Sequence, residues 1–302
     1  MGNRPTVSLV LGSGGARGLA HIGVIRELES RGYDIRAISG SSMGALVGGI
    51  HALGGLDAYE NWVIALGQSD MLRLLDLTLS GGGLIRGDVL IQRLRELVGE
   101  CNIEDLPLDY TAVAVDIERG REVWLSDGSL FEAIRASMAV PSVFTPHAYR
   151  GRLLVDGGLL NPVPVAPTLR TLTDLTVIVD LNGEAVMPPP LRIDTETDPG
   201  LLARLRSYLP GGNGNGAVKV AESGLAMSDV LMRSLETMQA ALTRRNLAVF
   251  WPDVVINVPK NTCRFHEFHL ASPLIEYGRR LAVDALDRLE ASSGVRGRPP
   301  SP

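Results

Sequence analysis

Residues 35–52 read Ile-Arg-Ala-Ile-Ser-Gly-Ser-Ser-Met-Gly-Ala-Leu-Val-Gly-Gly-Ile-His-Ala, and the reading of this stretch decides the fold. Ile35–Ile38 is a short apolar run that predicts a strand, and Ala45–Ala52 is small and apolar, as a tightly packed helix would be. Between them Gly40-Ser41-Ser42-Met43-Gly44 forms a G-x-S-x-G pentad. Strand, sharp turn and helix is the setting of a nucleophile elbow, in which a strained turn pushes one serine Oγ clear of the backbone. The flanking glycines fit because a Cβ at either position would meet the neighbouring strand or helix. Ser42 is then the candidate nucleophile. The chain holds 34 glycines, so a structural Gly-Ser turn stands beside that reading.

Working outward, Val7–Leu11 predicts a first strand, followed by Gly12-Ser13-Gly14-Gly15-Ala16-Arg17-Gly18. Leu19, Ile22, Ile25 and Leu28 then mark a helix, and Gly32 fits its C-terminal cap. A glycine loop opening a helix gathers unpaired N–H groups and the positive end of the helix dipole, so it binds an anion. That anion is a phosphate or the oxyanion formed when Ser42 attacks an acyl carbonyl. The dinucleotide pattern begins correctly at Gly12 and Gly14, with Asp34 at ribose distance, but position 17 is Arg and no Walker lysine follows. Further on, Leu153-Leu154-Val155-Asp156-Gly157-Gly158 is a strand-like run that ends in an acid on a glycine turn. A serine hydroxyl needs an adjacent base, and Asp156 is a candidate, with an ordinary Asp-Gly turn as the plain alternative.

Taken together, Ser13–Gly18, Gly40–Gly44 and Asp156–Gly158 resemble, in order, the oxyanion loop G-G-G-x-[RK]-G, the G-x-S-x-G elbow and the D-G-[GA] turn of the patatin-like phospholipases. Gly83–Asp88 and Ala136–Phe144 also look like that family, closest to its bacterial, neuropathy-target-esterase-like branch. Ser13 departs from the pattern, replacing the first loop glycine. The resemblance covers residues 6–168 well. It implies an α/β three-layer sandwich with a mostly parallel central sheet flanked by helices. It also implies a Ser42–Asp156 dyad without histidine, with Ser42 attacking an ester carbonyl and Asp156 accepting its proton. N–H groups around Gly14, Gly15 and Met43 would stabilise the oxyanion, and Gly18, Gly40, Gly44, Gly157 and Gly158 would be the motif glycines. Arg17 would anchor the loop or lie near a substrate phosphate. No cofactor and no metal enter that chemistry.

Two rivals remain. A Ser-Asp-His triad of the α/β-hydrolase kind would use Ser42, Asp156 and His266 or His269. A non-catalytic scaffold of the same fold would bind lipid without turning it over. His266-Glu267-Phe268-His269 lacks the i, i+4 spacing of a zinc site, and packing or surface roles suit His21, His51 and His147 as well. The expected partner is a lipid ester met at a membrane surface, and oligomeric state is left open. A net charge of −5 argues against nucleic acid. Two cysteines, Cys101 and Cys263, make no disulfide framework. No secretory signal or membrane-length apolar run is read, so a cytoplasmic protein, at most peripheral to a membrane, is expected. Met1–Thr6 fits a myristoylation pattern by coincidence.

Thr111–Val115 and Glu122–Leu125 predict a β pair, Leu130–Met138 a helix, Leu175–Leu181 a central strand and Val254–Val258 another. The chain divides as a catalytic core over 6–168, a continuation of the sheet over 169–183, and a linker or flap over 184–218. A C-terminal part over 219–291 then packs on the same domain, before a tail over 292–302. Leu201, Leu202, Leu205, Tyr208 and Leu209 suggest a helix in the flap. Leu231, Leu235, Met238 and Leu242 mark a long amphipathic helix. Ser272 reads as the cap of the last helix, with Pro273 at its first position.

Overall fold

A computed structural model describes residues 4–67, 70, 76, 85–191 and 227–296. Strand β1 (Thr6–Leu11) runs into the glycine loop, a 3-10 turn at Gly15–Leu19, and helix α1 (Ala20–Ser30). The helix ends as a Schellman cap: Tyr33 N–H reaches Leu28 O and Gly32 N–H reaches Glu29 O, with Gly32 at φ +79°. Strand β2 (Asp34–Ser41), Ser42 and helix α2 (Met43–Ala52) form the elbow. Helices α3 (Leu56–Ala65) and α4 (Asp88–Val98) lead to strands β3 (Asp109–Asp116) and β4 (Arg121–Leu125), then to helix α5 (Leu130–Ser137). Strands β5 (His147–Tyr149), β6 (Arg152–Asp156) and β7 (Leu175–Gly183) follow. Helix α6 (Met227–Val249), strand β8 (Val254–Pro259) and helix α7 (Ala271–Arg296) complete the order.

The eight strands form one mixed sheet in the order β5-β6-β3-β2-β1-β7-β8, with β4 also paired to β3. β1, β2, β3, β7 and β8 run parallel, and β4, β5 and β6 are antiparallel to their neighbours. Side chains alternate across each strand. Leu9, Leu11, Val177 and Val179 therefore join the main core under α1, α2, α5 and α7, while Val10 and Ile178 face a smaller cluster with Val163, Val165 and Leu247 of α6. Helices on one face, a sheet, and α6 on the other face make three layers. The β8 strand pairs with β7, and α7 packs along α1, so these two elements are built into the same body.

Several elements differ in detail from the sequence reading. α7 begins at Ala271, one turn into which Ser272 and Pro273 fall, so Ser272 is not its cap; a 3-10 turn at Phe268–Leu270 feeds the helix instead. α7 also continues through Ser292 to Arg296, into the stretch read as tail, because the first helix-stopping proline is Pro299. Of the segment read as linker or flap, 184–191 is described, and Asn261 pins Val186 through two hydrogen bonds. Residues 192–218, the Leu201–Leu209 helix included, lie outside the described residues, as do Gly83 and Leu84. On α6 the buried positions are Gln239 and Thr243, while Leu231 and Met238 are about half exposed. The stripe is thus only partly covered, Leu235 and Leu242 being half-buried.

Candidate active site

The sheet register brings two distant motifs together. Ser41, the last residue of β2, pairs with Val113 of β3, and Asp156, the last residue of β6, pairs with Ala114. Two strand ends meet on successive residues of one strand, so the turns that follow them, at Ser42 and Gly157, must be neighbours. Ser42 sits at φ +56°, a left-handed conformation that a non-glycine residue adopts at a cost of about 1–3 kcal/mol. The surroundings hold it there. Its N–H donates to Ser137 Oγ at 3.0 Å, and the Ser137 hydroxyl donates to Val113 O at 2.6 Å. Ser41 Oγ donates to Asn161 O, and Tyr110 Oη to Ala45 O, both at 2.7 Å. Gly44 lets the first turn of α2 close against β1: a Cβ there would lie 2.0 Å from Leu11 O.

Asp156 is buried, and Oδ1 accepts the Gly158 N–H at 2.7 Å. Oδ2 has no partner of good hydrogen-bond geometry. Burial pushes its pKa up to about 7, against smaller opposing effects of the Ser42 hydroxyl and the Gly158 N–H. Among the described residues no histidine hydrogen-bonds to Asp156 or to Ser42. His21 is buried, held near pKa 4 by desolvation, and its Nε2 contacts Gly12 O at 2.9 Å. A neutral imidazole there donates to the carbonyl and steadies the glycine loop. His147 pairs with Glu132.

The loop is fixed at three points. Gly12 N–H donates to Val179 O, Ser13 N–H to Pro162 O and Ala16 N–H to Phe265 O. The N–H groups of Gly14 and Gly15 have no acceptor among the described residues, and neither does that of Met43 at the start of α2. Gly18 packs on Met43, where a Cβ would come within 2.3 Å of the methionine Cβ, so loop and elbow are in direct contact. Gly40 backs onto Gly44 and Ala45, and Gly157 onto Val113 and Ser41. Arg17 is buried and borders the cavity beside Asp156. Nη1 donates to Lys260 O at 2.7 Å and Nη2 to Glu236 of α6 at 2.9 Å. It therefore anchors the loop to the last third of the chain. Asn246 Nδ2 to Asn161 Oδ1, at 2.9 Å, ties α6 down a second time.

A small cavity of about 10 Å³ lies beside the carboxylate, bordered by Ser13, Gly14, Asp156, Glu236, Gln239 and Phe265. The sequence reading did not single out Ser137 or Gln239. Ser137 lies inside the Ala136–Phe144 stretch, and its small polar side chain at a helix end was the available signal. Gln239 carried none, because its role depends on which face α6 turns inward. No cluster of metal-ligating side chains occurs among the described residues, and no helix among them is long and apolar enough to cross a membrane.

The sequence model of the patatin-like phospholipases matches residues 9–169. An NTE family protein of Mycobacterium tuberculosis is 40% identical over 95% of this chain and 92% of its own length. A second NTE family protein of that organism is 32% identical over 82% of this chain and 42% of its own. A lysophospholipase of Emericella nidulans is 31% identical over 59% of this chain and 12% of its own. The match spans the strand, elbow and acid turn described above. The chain belongs to the patatin-like phospholipase family of lipid hydrolases and stands within it beside the NTE family proteins.

Proposed function

We propose that the chain is a serine acylhydrolase that cleaves a carboxylic ester of a phospholipid or lysophospholipid through a Ser42–Asp156 dyad. The observation that carries this reading is the convergence of a strained serine, a buried carboxylate of pKa about 7 and three N–H groups, at Gly14, Gly15 and Met43, without an acceptor among the described residues. Ser42 Oγ attacks the ester carbonyl while Asp156 takes its proton. The carbonyl oxygen becomes an oxyanion facing the free N–H groups, each worth ~10²–10³ in rate. Collapse expels the alcohol, which recovers the proton from Asp156 and leaves acyl-Ser42. Water then attacks, passing a proton to Asp156, and the fatty acid leaves as Ser42 regains its hydrogen. A base near pKa 7 is half ionised at neutral pH, where proton transfer is best matched. Lipid esters lie in bilayers and micelles, so the site would work at such a surface.

The test is fluorophosphonate labelling together with hydrolysis of p-nitrophenyl esters and lysophosphatidylcholine. The label is expected on Ser42, and Ser42→Ala and Asp156→Asn should each lose at least about 10³-fold in kcat. Replacing His266 and His269 together by Ala should leave kcat within about threefold. Loss in that double variant, with labelling intact, would return the histidine triad; an unlabelled Ser42 without turnover would favour a scaffold.

A further inference from the structure

The helix that covers the dyad carries a polar side chain for which the fold itself has no use. Gln239 is only 7% exposed, on the inward face of α6, where an apolar residue would pack with less cost. Its amide makes no hydrogen bond with any described residue. Its tip borders the cavity beside Asp156. Nε2 lies 2.7 Å from the point where a Cβ on Gly158 would stand, and Ser13 Oγ lies 2.5 Å from that same point. Amide and hydroxyl therefore converge over the backbone whose N–H holds the Asp156 carboxylate. A cavity of about 10 Å³ is close to the least that holds one water, and a buried water needs two to four polar partners. Ser13, Gln239 and Asp156 supply three.

We propose that Gln239 and Ser13 are positioning residues that seat the water of the second half-reaction, the one that releases the acyl chain from Ser42. The inference rests on the acyl-Ser42 reading above. The seated water's oxygen attacks the acyl carbon and one of its hydrogens passes to Asp156. The carbonyl π pair moves to the oxyanion and returns as the bond to Ser42 Oγ breaks, and Oγ takes the proton from Asp156. The first half-reaction uses no water, so it does not need this pair. Ser13, where the resembling loops carry glycine, contributes a hydroxyl that a glycine lacks.

Stopped-flow hydrolysis of p-nitrophenyl butyrate separates the two steps, since p-nitrophenolate appears on acylation and later turnovers wait on deacylation. For Gln239→Leu, deacylation is expected to fall about 10- to 100-fold while acylation stays within about threefold, so the burst approaches one product per Ser42. Ser13→Gly should show the same split at smaller size, and it carries the test if Gln239→Leu does not fold. Equal loss in both steps, or no change in either, overturns the inference while the dyad stands. A wild type no faster than Ser42→Ala overturns the dyad reading and this inference with it.

Discussion

At the scale of single residues, Asp156 sets both the pH dependence and a stability cost. In the proposed dyad it is the base and must be ionised, so kcat/KM is expected to rise from pH 5 to pH 8 with its midpoint near 7. Its folded pKa of about 7 lies above the ordinary 3.8, so the folded state prefers the protonated acid. That contribution is fully present below pH 4 and is lost as pH rises through 7. Asp156→Asn keeps an oxygen for the Gly158 N–H and removes the charge. Relative to wild type it should gain about 2 kcal/mol between pH 5 and pH 8, read by urea unfolding at both values. An unchanged difference between the two pH values would show that the carboxylate is better solvated than its burial implies. Ser42 was legible as the centre of a pentad, because the elbow is a local structure. Asp156 was legible as an acid on a glycine turn at a strand end, a place from which it could meet a serine, but the pairing with Ser42 was given by the family resemblance, since a β register between residues 114 apart leaves no local mark.

At the scale of elements, the elbow depends on how closely α2 approaches β1. Gly44→Ala places a Cβ 2.0 Å from Leu11 O, between two backbones that have no side chain to move aside. We expect a loss of about 3 kcal/mol, together with most of the activity. Gly32→Ala is the control: its Cβ meets nothing within 4 Å, and only the φ of +79° opposes it, at about 1 kcal/mol. Equal midpoints for the two variants in thermal melts would remove the close-approach argument. Strand, loop and helix around both glycines were readable because small residues cluster where backbones touch. The facing of α6 was not. Leu247 makes the apolar contact its leucines promise, yet the most buried positions are Gln239 and Thr243; Gln239 borders the cavity beside Asp156, and no periodicity reports a neighbour's polarity.

At the scale of the whole molecule, alternating strands and helices foretold the parallel half of the sheet, β1, β2, β3, β7 and β8. The antiparallel half at β4, β5 and β6 was visible only as the β3–β4 pair: the β3–β6 pairing joins segments far apart in sequence, and the β5–β6 hairpin turns on Arg150-Gly151, whose short flanking strands carry little apolar alternation. The two cysteines report on the integrity of this body. Cys263 is buried in the main core, and desolvation pushes its thiol up to about 12. Cys101 is partly exposed, with burial and the charges of Glu100, Asp105 and Glu104 raising its pKa. At pH 8 Ellman's reagent should react slowly with Cys101 and reach Cys263 only as the protein unfolds. Two thiols reacting at one rate in the native protein would mean that β8 and α7 come away from the core without global unfolding.

The meeting of two strand ends on Val113 and Ala114 also governs when chemistry can begin during synthesis. A ribosome delivers Ser42 early and Asp156, its partner in the proposed dyad, more than a hundred codons later. The backing strand β8 and the loop anchor at Lys260 emerge later still. A nascent chain shorter than about half its final length therefore holds Ser42 without Asp156, and one that stops before Val254 lacks the strand that backs β7.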